Sequence, residues 1–397
     1  MVDRIAITGI GVISALGLNV EQNFDALLKS QSGIKAIRIL NTIHNGELPV
    51  GEIPFTDEEL TQKLGFTFNK GWSRTSLIGL LAAREAWNQA KLYKDYKSKK
   101  GLVSATTVAG MRRSEEFYCD FIKNGTGEDF ISTHDAGDST EKIADDLGIK
   151  DYLTTISTAC SSSTNSIMLG ARLLKNKVLD KVLVGGMDSL TKFTLNGFNS
   201  LMILDKQNCR SFDDNRAGLN LGEGAAFLVL ERESEVEDKA ILGYVAGYAN
   251  ANDAYHQTAS SPEGKGAALA MSKALKMAKL KAEDIDYINA HGTATLNNDL
   301  SEGLAIEEVF GKKLPKISST KPFTGHTLGA AGVIESVFSI LALKHQLIYP
   351  NLNFKTQMKE LNFSPETELL RNLKLNFVLS NSFGFGGNNS SIIFGKH

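Results

Sequence analysis

Short apolar runs bounded by glycine, set between longer stretches of helical spacing, constrain this chain more than any other feature. Residues 5–8, 181–184 and 227–230 are β-branched or aromatic runs too short for helices, as buried strands are. Residues 76–91 and 264–280 instead repeat Ala and Leu at helical intervals. Because the two kinds of segment interleave rather than segregate, they predict an α/β fold with a layered, mostly parallel core. Two pairs of similar segments suggest that this core is built twice. GEGAAFLVLE (222–231) and GFGGNNSSIIFG (384–395) each lead a Gly-rich turn into an apolar strand. ACSSSTNSIMLGARLL (159–174) and GHTLGAAGVIESVFSILAL (325–343) each put a chemically capable residue before a helix rich in small residues. Any α/β protein has some such turns, so these short matches leave the duplication open. The halves are expected to divide near residue 240, into 1–240 with the reactive cysteine and 241–397 with two candidate histidines.

With 42% hydrophobic residues in 397, the chain can bury a large core, and its net charge of −2 gives no overall reason to expect nucleic acid. Its apolar runs look broken before the ~18 residues of a membrane span. The opening MVDRIAITGIGVISALG places Asp3 and Arg4 before a strand-like run, so neither membrane insertion nor a signal peptide is expected. Cys119, Cys160 and Cys209 lie far apart with no CxxC pair. That spacing argues against a disulfide framework or a thiolate zinc site, so no metal is expected and a reducing, cytoplasmic location is. No GxGxxG opens a helix after the first strand, which argues against a dinucleotide site.

Cys160 falls where a β-favouring run gives way to a Ser-rich helix start. The first N–H groups of a helix are unpaired and its macrodipole is positive there. A thiolate would therefore be stabilised, its pKa lowered, and an oxyanion supplied with donors. A small buried cysteine is the alternative reading of the same context, and the one given to Cys119 and Cys209. His291 lies in DYINAHGTATLNND, where a strand-like run ends in a Gly- and Thr-rich loop, a usual place for a catalytic group at a sheet's carboxyl edge. Thr293 and Thr295 beside it could bind an amide-bearing substrate arm or simply satisfy loop backbone. His326 precedes another helix, and Lys321 and Glu335 flank it in sequence. A cation and a carboxylate near an imidazole fix its tautomer and shift its pKa, although each is also an ordinary residue in such a place. In SNSFGFGGNNSS, three glycines set Phe383 and Phe385 on a loop that could be a gate or a tight turn.

Taken together, TACSSS, CRSFDDNRAGLNLGEGAA, DAYHQTASSP, NAHGTAT, KPFTGHTLGAAG and NSFGFGGNN occur in one order from Thr158 to Asn389, after the opening ITGIGVISALG. This set resembles the elongating β-ketoacyl-acyl carrier protein synthases over nearly the whole chain. The resemblance implies a thiolase-like fold of two duplicated α/β halves in five layers, α-β-α-β-α, normally a homodimer, with a heterodimer possible. It implies that Cys160 is the nucleophile, His291 and His326 the catalytic histidines, and Lys321 and Glu335 their supports. Phe385 corresponds to the gating phenylalanine, whose backbone N–H shares the oxyanion hole with that of Cys160. Thr258, Thr293, Thr295 and Phe383 fall at substrate-binding positions, Val108 and Phe198 where relatives line the acyl pocket, and Asp299 and Glu302 at acidic positions that look structural.

The implied reaction is decarboxylative Claisen condensation of an acyl-Cys160 thioester with malonyl-acyl carrier protein. The product is a 3-oxoacyl carrier protein, in fatty acid or polyene and polyketide elongation. No cofactor is implied, since phosphopantetheine arrives on the acyl carrier protein. The chain departs from the family at Ser211 in place of Pro, Asn388 in place of Thr, and Ala109 among the usual glycines. Met202 stands where relatives often carry a basic residue for the carrier, which implies either a different carrier or a grip elsewhere, through Lys63, Lys70 or Arg74. A thiolase would need a second cysteine where GFGGNN stands, and an initiating synthase would pair Cys and His with Asn. A chain-length-factor-like partner subunit that condenses nothing is the reading from another class, and the retained Cys160 argues against it.

Overall fold

The computed structural model describes residues 3–69, 71–125 and 128–397. Alternation along the apolar runs sets the architecture. In Gly224–Arg232, Ala226, Leu228 and Leu230 face one apolar cluster while Ala225, Phe227 and Val229 face another, so the strand is buried on both sides. In chain order the strands are β1 (Ile5–Ser14), β2 (Lys35–Ala36), β3 (Pro49–Val50), β4 (Lys100–Ala105), β5 (Tyr152–Ile156) and β6 (Lys181–Asp188). They continue as β7 (Gly224–Arg232), β8 (Gly243–Asn252), β9 (Tyr287–Asn289), β10 (Lys316–Ser318), β11 (Phe377–Gly384) and β12 (Asn388–Gly395). The short β2 and β3 pair with each other, and the rest form one sheet in the order β10-β9-β11-β12-β8-β1-β7-β6-β4-β5.

That order is one five-strand pattern written twice. In each half the first strand pairs antiparallel with the fifth, the fifth antiparallel with the fourth, and the fourth, second and third run parallel. The halves join through three residue pairs between β1 and β8, Ile5 with Val245, Ala6 with Tyr244 and Ile7 with Gly243. The core is therefore mixed rather than mostly parallel. A parallel neighbour needs a crossover, whereas β6 to β7 and β11 to β12 double back at one end of the sheet and run the last strand of each half antiparallel.

Two helices, Ser162–Lys175 and Ala331–His345, form the middle layer and share the central cluster with one face of both half-sheets. They approach closely: a Cβ on Gly332 would lie 2.0 Å from the Thr164 hydroxyl oxygen. Arg74–Gln89 and Ala136–Leu147 cover the outer face of the first half, and Lys265–Ala278 and Leu296–Phe310 that of the second, completing five layers. The stretch Leu328–His345 is, against the sequence expectation, long and apolar enough to cross a membrane, but 89% of it is buried inside the protein as this central helix. Being covered on all sides, it has no polar face to interrupt its hydropathy.

Arg74, a candidate carrier contact by sequence, is instead fully buried. Its guanidinium donates to both oxygens of Glu223, to Asp57 Oδ1 at 2.8 Å and to the carbonyls of Ile53 and Phe55. It cannot reach a partner, and Lys70 lies outside the described residues; of the three, Lys63 is exposed. Because Glu223 is buried as well, Arg74→Met should cost about 3–5 kcal/mol by leaving an uncompensated carboxylate. Denaturant unfolding checks this, and a loss below ~1 kcal/mol would show that water replaces the pair.

Candidate active site

Cys160 sits where β5 has ended and the central helix Ser162–Lys175 is about to begin. Ala159 turns the chain there in the left-handed region, at φ 53°. This lets the sulfur leave the backbone toward the turn 384–387, and Gly384 makes room: a Cβ on it would come within 3.0 Å of Cys160 N and 3.2 Å of Ala159 Cβ. The backbone N–H groups of Phe385 and of Cys160 itself donate toward the sulfur.

Two histidines converge on that sulfur from the second half of the chain. His326 Nε2 lies 3.0 Å from Cys160 Sγ, and the rings of His291 and His326 meet edge to face with centroids 5.3 Å apart. All three side chains are buried. His291 follows the end of β9, and its loop is held by two carboxylates. Glu302 accepts the N–H groups of His291 and Gly292, each at 2.8 Å, and Asp299 accepts those of Phe212 and Ala294 at 2.7 and 3.0 Å. Ser211, the departure from the family's proline, donates to the Gly292 carbonyl at 2.6 Å and so ties the same loop. Ala109 is in the left-handed region at φ 46°, and Asn388 opens β12 opposite Gly384.

Lys321 does not serve His326, its neighbour in sequence. Its Nζ lies 3.0 Å from His291 Nδ1 and pairs with Glu335. An ammonium cannot accept, so it donates to Nδ1 and leaves the proton of neutral His291 on Nε2. His326 Nδ1, by contrast, is buried with no hydrogen-bond partner among the described residues, and no side chain among them locks either tautomer of that ring.

The electrostatics differ from the sequence expectation in one respect. Burial pushes the Cys160 thiol up to about 11, even though the Lys321 charge and the Phe385 and Cys160 N–H groups pull it down. Desolvation of the thiolate outweighs that charge and those two donors. Burial, with Lys321 adding to it, also lowers both imidazoles well below the usual histidine range. The resting site thus holds a thiol beside two neutral rings. The ligand atoms of Cys160, His291 and His326 all lie within 4.8 Å of one another, near enough to face one metal ion. The Lys321 charge beside His291 opposes a dication there.

A cavity of about 220 Å³ opens onto these groups. It is lined by Cys160, His291, His326, Phe198, Phe383 and Phe385, with Thr258, Thr293 and Thr295 toward one side and Met202 and Leu296 among the rest. The Phe198 and Phe385 rings stack, with centroids 5.6 Å apart and planes 12° apart. Val108 does not face this cavity. It lies in an adjoining buried apolar cluster with Leu190, Leu195 and Leu221, to whose packing Phe198 also contributes. Sequence reasoning missed Asp188, which ends β6 fully buried close to the cysteine. The available signal was an acidic residue directly after the apolar run VLVGGM.

A duplicated five-layer fold that sets a cysteine at the start of one central helix, beside two histidines from the other half, defines the thiolase-like condensing enzymes. The family model "Beta-ketoacyl synthase, N-terminal domain" matches residues 2–236, and "Beta-ketoacyl synthase, C-terminal domain" matches residues 242–355. The chain belongs to the β-ketoacyl synthase family. It is 32% identical to 3-oxoacyl-[acyl-carrier-protein] synthase 2 of Staphylococcus aureus strain COL, over 99% of this chain and 98% of that one. It is 31% identical, with the same coverage, to the protein of that name from Coxiella burnetii. Among solved structures, the ishigamide ketosynthase/chain length factor superimposes with a TM-score of 0.93 at 29% identity, covering 100% of both chains. A ketosynthase in complex with its chain length factor from Xenorhabdus doucetiae gives 0.85 at 29%, covering 100% of this chain and 98% of that one.

Proposed function

We propose that this chain catalyses decarboxylative condensation of an acyl group, held as a thioester on Cys160, with malonyl-acyl carrier protein, giving a 3-oxoacyl carrier protein. The observation that carries this reading is the 3.0 Å approach of His326 Nε2 to the Cys160 sulfur, with a tautomer-fixed His291 in the same cavity. With the thiol protonated at rest, its proton passes to His326 Nε2 as the sulfur attacks the acyl-carrier thioester. The N–H groups of Cys160 and Phe385 hold the oxyanion. The carbon–sulfur bond to pantetheine breaks, and the leaving thiolate takes the proton back from His326.

Malonyl carrier then occupies the emptied arm channel, where Thr258, Thr293 and Thr295 supply hydroxyls. His291 donates Nε2–H to the malonyl thioester oxygen, and His326, free to shift tautomer, donates beside it. The bond to the carboxylate breaks, carbon dioxide leaves, and the enolate carbon attacks the Cys160 thioester. The expelled sulfur takes a proton from His326 Nε2, which solvent water entering the cavity replaces, and its buried position favours the protonated thiol. Asp299 and Glu302 act as braces for the His291 loop and touch no reacting atom.

Incubation of the purified chain with acyl and malonyl carrier proteins tests the reading: an acyl mass shift on Cys160 followed by a 3-oxoacyl product supports it, and no shift under turnover conditions sinks it. The partner is an acyl carrier protein, and the assembly a dimer of this chain or a heterodimer. Three unpaired cysteines among the described residues support a cytoplasmic setting. The likeness to structures named as containing a chain length factor favours one alternative, a non-condensing partner subunit. The same mass shift separates the two, since such a subunit would stay unacylated.

Phe385→Ala removes the ring stacked on Phe198 from a loop with Gly386 at φ 77° and Gly387 at φ 73°. Loading should lose its order, with malonyl carrier decarboxylated before acylation at a rate raised roughly tenfold. Single-turnover carbon dioxide release without acyl donor measures this, and an unchanged rate would show that the ring closes nothing.

A further inference from the structure

His326 poses a positioning problem that His291 does not. The His291 ring is gripped at Nδ1 by Lys321, whereas among the described residues the only hydrogen-bond partner of the His326 ring is the reacting sulfur itself. Its aim must therefore come from the backbone on either side. On the N-terminal side His326 N donates to the Asn220 carbonyl at 2.7 Å, and Gly222 N donates to the His326 carbonyl at 3.0 Å. On the C-terminal side the chain turns through Leu328 at φ 50°, and the next N–H, of Gly329, donates to Asp188 Oδ2 at 2.7 Å.

Asp188 has further partners on a different element. Oδ1 accepts from Thr106 Oγ1 at 2.6 Å, Thr107 N at 2.8 Å and Val108 N at 3.1 Å, and Oδ2 also accepts from Thr107 Oγ1 at 2.6 Å. A Cβ on Gly329 would lie 2.9 Å from Oδ2 and 3.0 Å from Thr107 Cγ2, so the turn is pressed against the carboxylate and its partner loop. One buried group thus joins the turn after His326 to the loop after β4, which carries Val108.

We infer that Asp188 is a positioning residue that clamps the turn after His326 to the Thr106–Val108 loop and so aims the unlocked His326 ring at Cys160. This rests on the condensing reading only in the role given to His326. The carboxylate touches no substrate. It also bears on the thiol electrostatically: Lys321 pulls the Cys160 pKa down, while Asp188 pushes it up.

The test is Asp188→Asn, which keeps the shape but sets an amide donor against one of the N–H or O–H donors. We expect kcat per alkylatable Cys160 to fall roughly 10- to 100-fold with KM for either carrier changed less than about threefold, the pattern of a misaimed group rather than lost binding. The pH profile of Cys160 alkylation by iodoacetamide should move to lower pH, because a negative charge near the sulfur is gone. A purely structural role would lower the active fraction and the unfolding midpoint but leave each surviving site at wild-type kcat; that result would overturn the inference. If Asp188→Asn does not fold, Gly329→Ala displaces the carboxylate from the turn by its Cβ. It should lower kcat in the same sense, and full activity in that variant would equally overturn the clamp. Because alkylation needs no carrier protein and Gly329→Ala keeps the carboxylate, a fall in the alkylation rate of that variant at neutral pH reports the lost approach of His326 even if the wild-type chain fails to condense, a failure that would count against the proposed function instead.

Discussion

A Cys160→Ala variant should lose 3-oxoacyl product by at least about 10⁴-fold while still releasing carbon dioxide from malonyl carrier. The two halves of the chemistry use different atoms. Acyl transfer needs the sulfur, since Cys160 is the one thiol among the described residues that line the cavity. Decarboxylation needs donors at the malonyl thioester oxygen, and both imidazoles survive the substitution. Because Cys160 is small, Ala leaves little void, so the loss reports chemistry rather than unfolding. Product and released carbon dioxide are measured in parallel. Condensation persisting in this variant would remove the nucleophile from the proposal, whereas loss of both signals in a folded protein would show that the sulfur also orders the malonyl site.

Exchanging the histidines one at a time should separate them by step. His291→Ala should lower condensation about 10²- to 10³-fold, the cost of one donor to a developing oxyanion, while acyl loading of Cys160 changes less than about threefold. His326→Ala should slow both, with loading down about 10²-fold, because it removes the base 3.0 Å from the thiol as well as a donor. Time-resolved mass spectrometry of acyl-Cys160 and product formation distinguishes them; equal loading in the two variants would contradict the division of labour. The wild-type protein adds a pH signature. Since burial holds both rings well below the ordinary histidine range, they stay neutral as pH falls through that range. Turnover should therefore not decline there, and a loss with the midpoint of an exposed histidine would show that the rings are solvated in the working state.

The difference between the histidines follows from their partners. Lys321 fixes one tautomer of His291, which suits a permanent donor. His326 has no partner at Nδ1 among the described residues, which in the proposed reaction leaves it able to accept a proton from the thiol in one half-reaction and donate in the next. Glu335, raised to about 7 because burial outweighs the pull of Lys321, keeps the ammonium beside His291.

Much of this molecule was legible in its amino-acid order. Strand and helix positions follow from local periodicity: residues 181–184 lie in β6, and residues 76–91 largely coincide with the helix Arg74–Gln89. The pairing of Gly-rich turns with apolar strands pointed to duplication, which the matching five-strand orders display. Cys160, His291 and His326 stood out because each sits at a junction between elements, where backbone groups are unpaired and side chains can meet a substrate. Tertiary structure alone decided what depends on distances between remote segments. It sent Lys321 to His291 rather than to His326, buried Arg74 between Glu223 and Asp57, and packed Val108 into an apolar cluster with Leu190, Leu195 and Leu221. It also reversed the expected shift of the cysteine, because local order shows the helix terminus but not the depth at which the sulfur is desolvated. Periodicity and capping act over a few residues and can be read along a chain; charge pairing and desolvation act through space, and only the folded chain sets those separations.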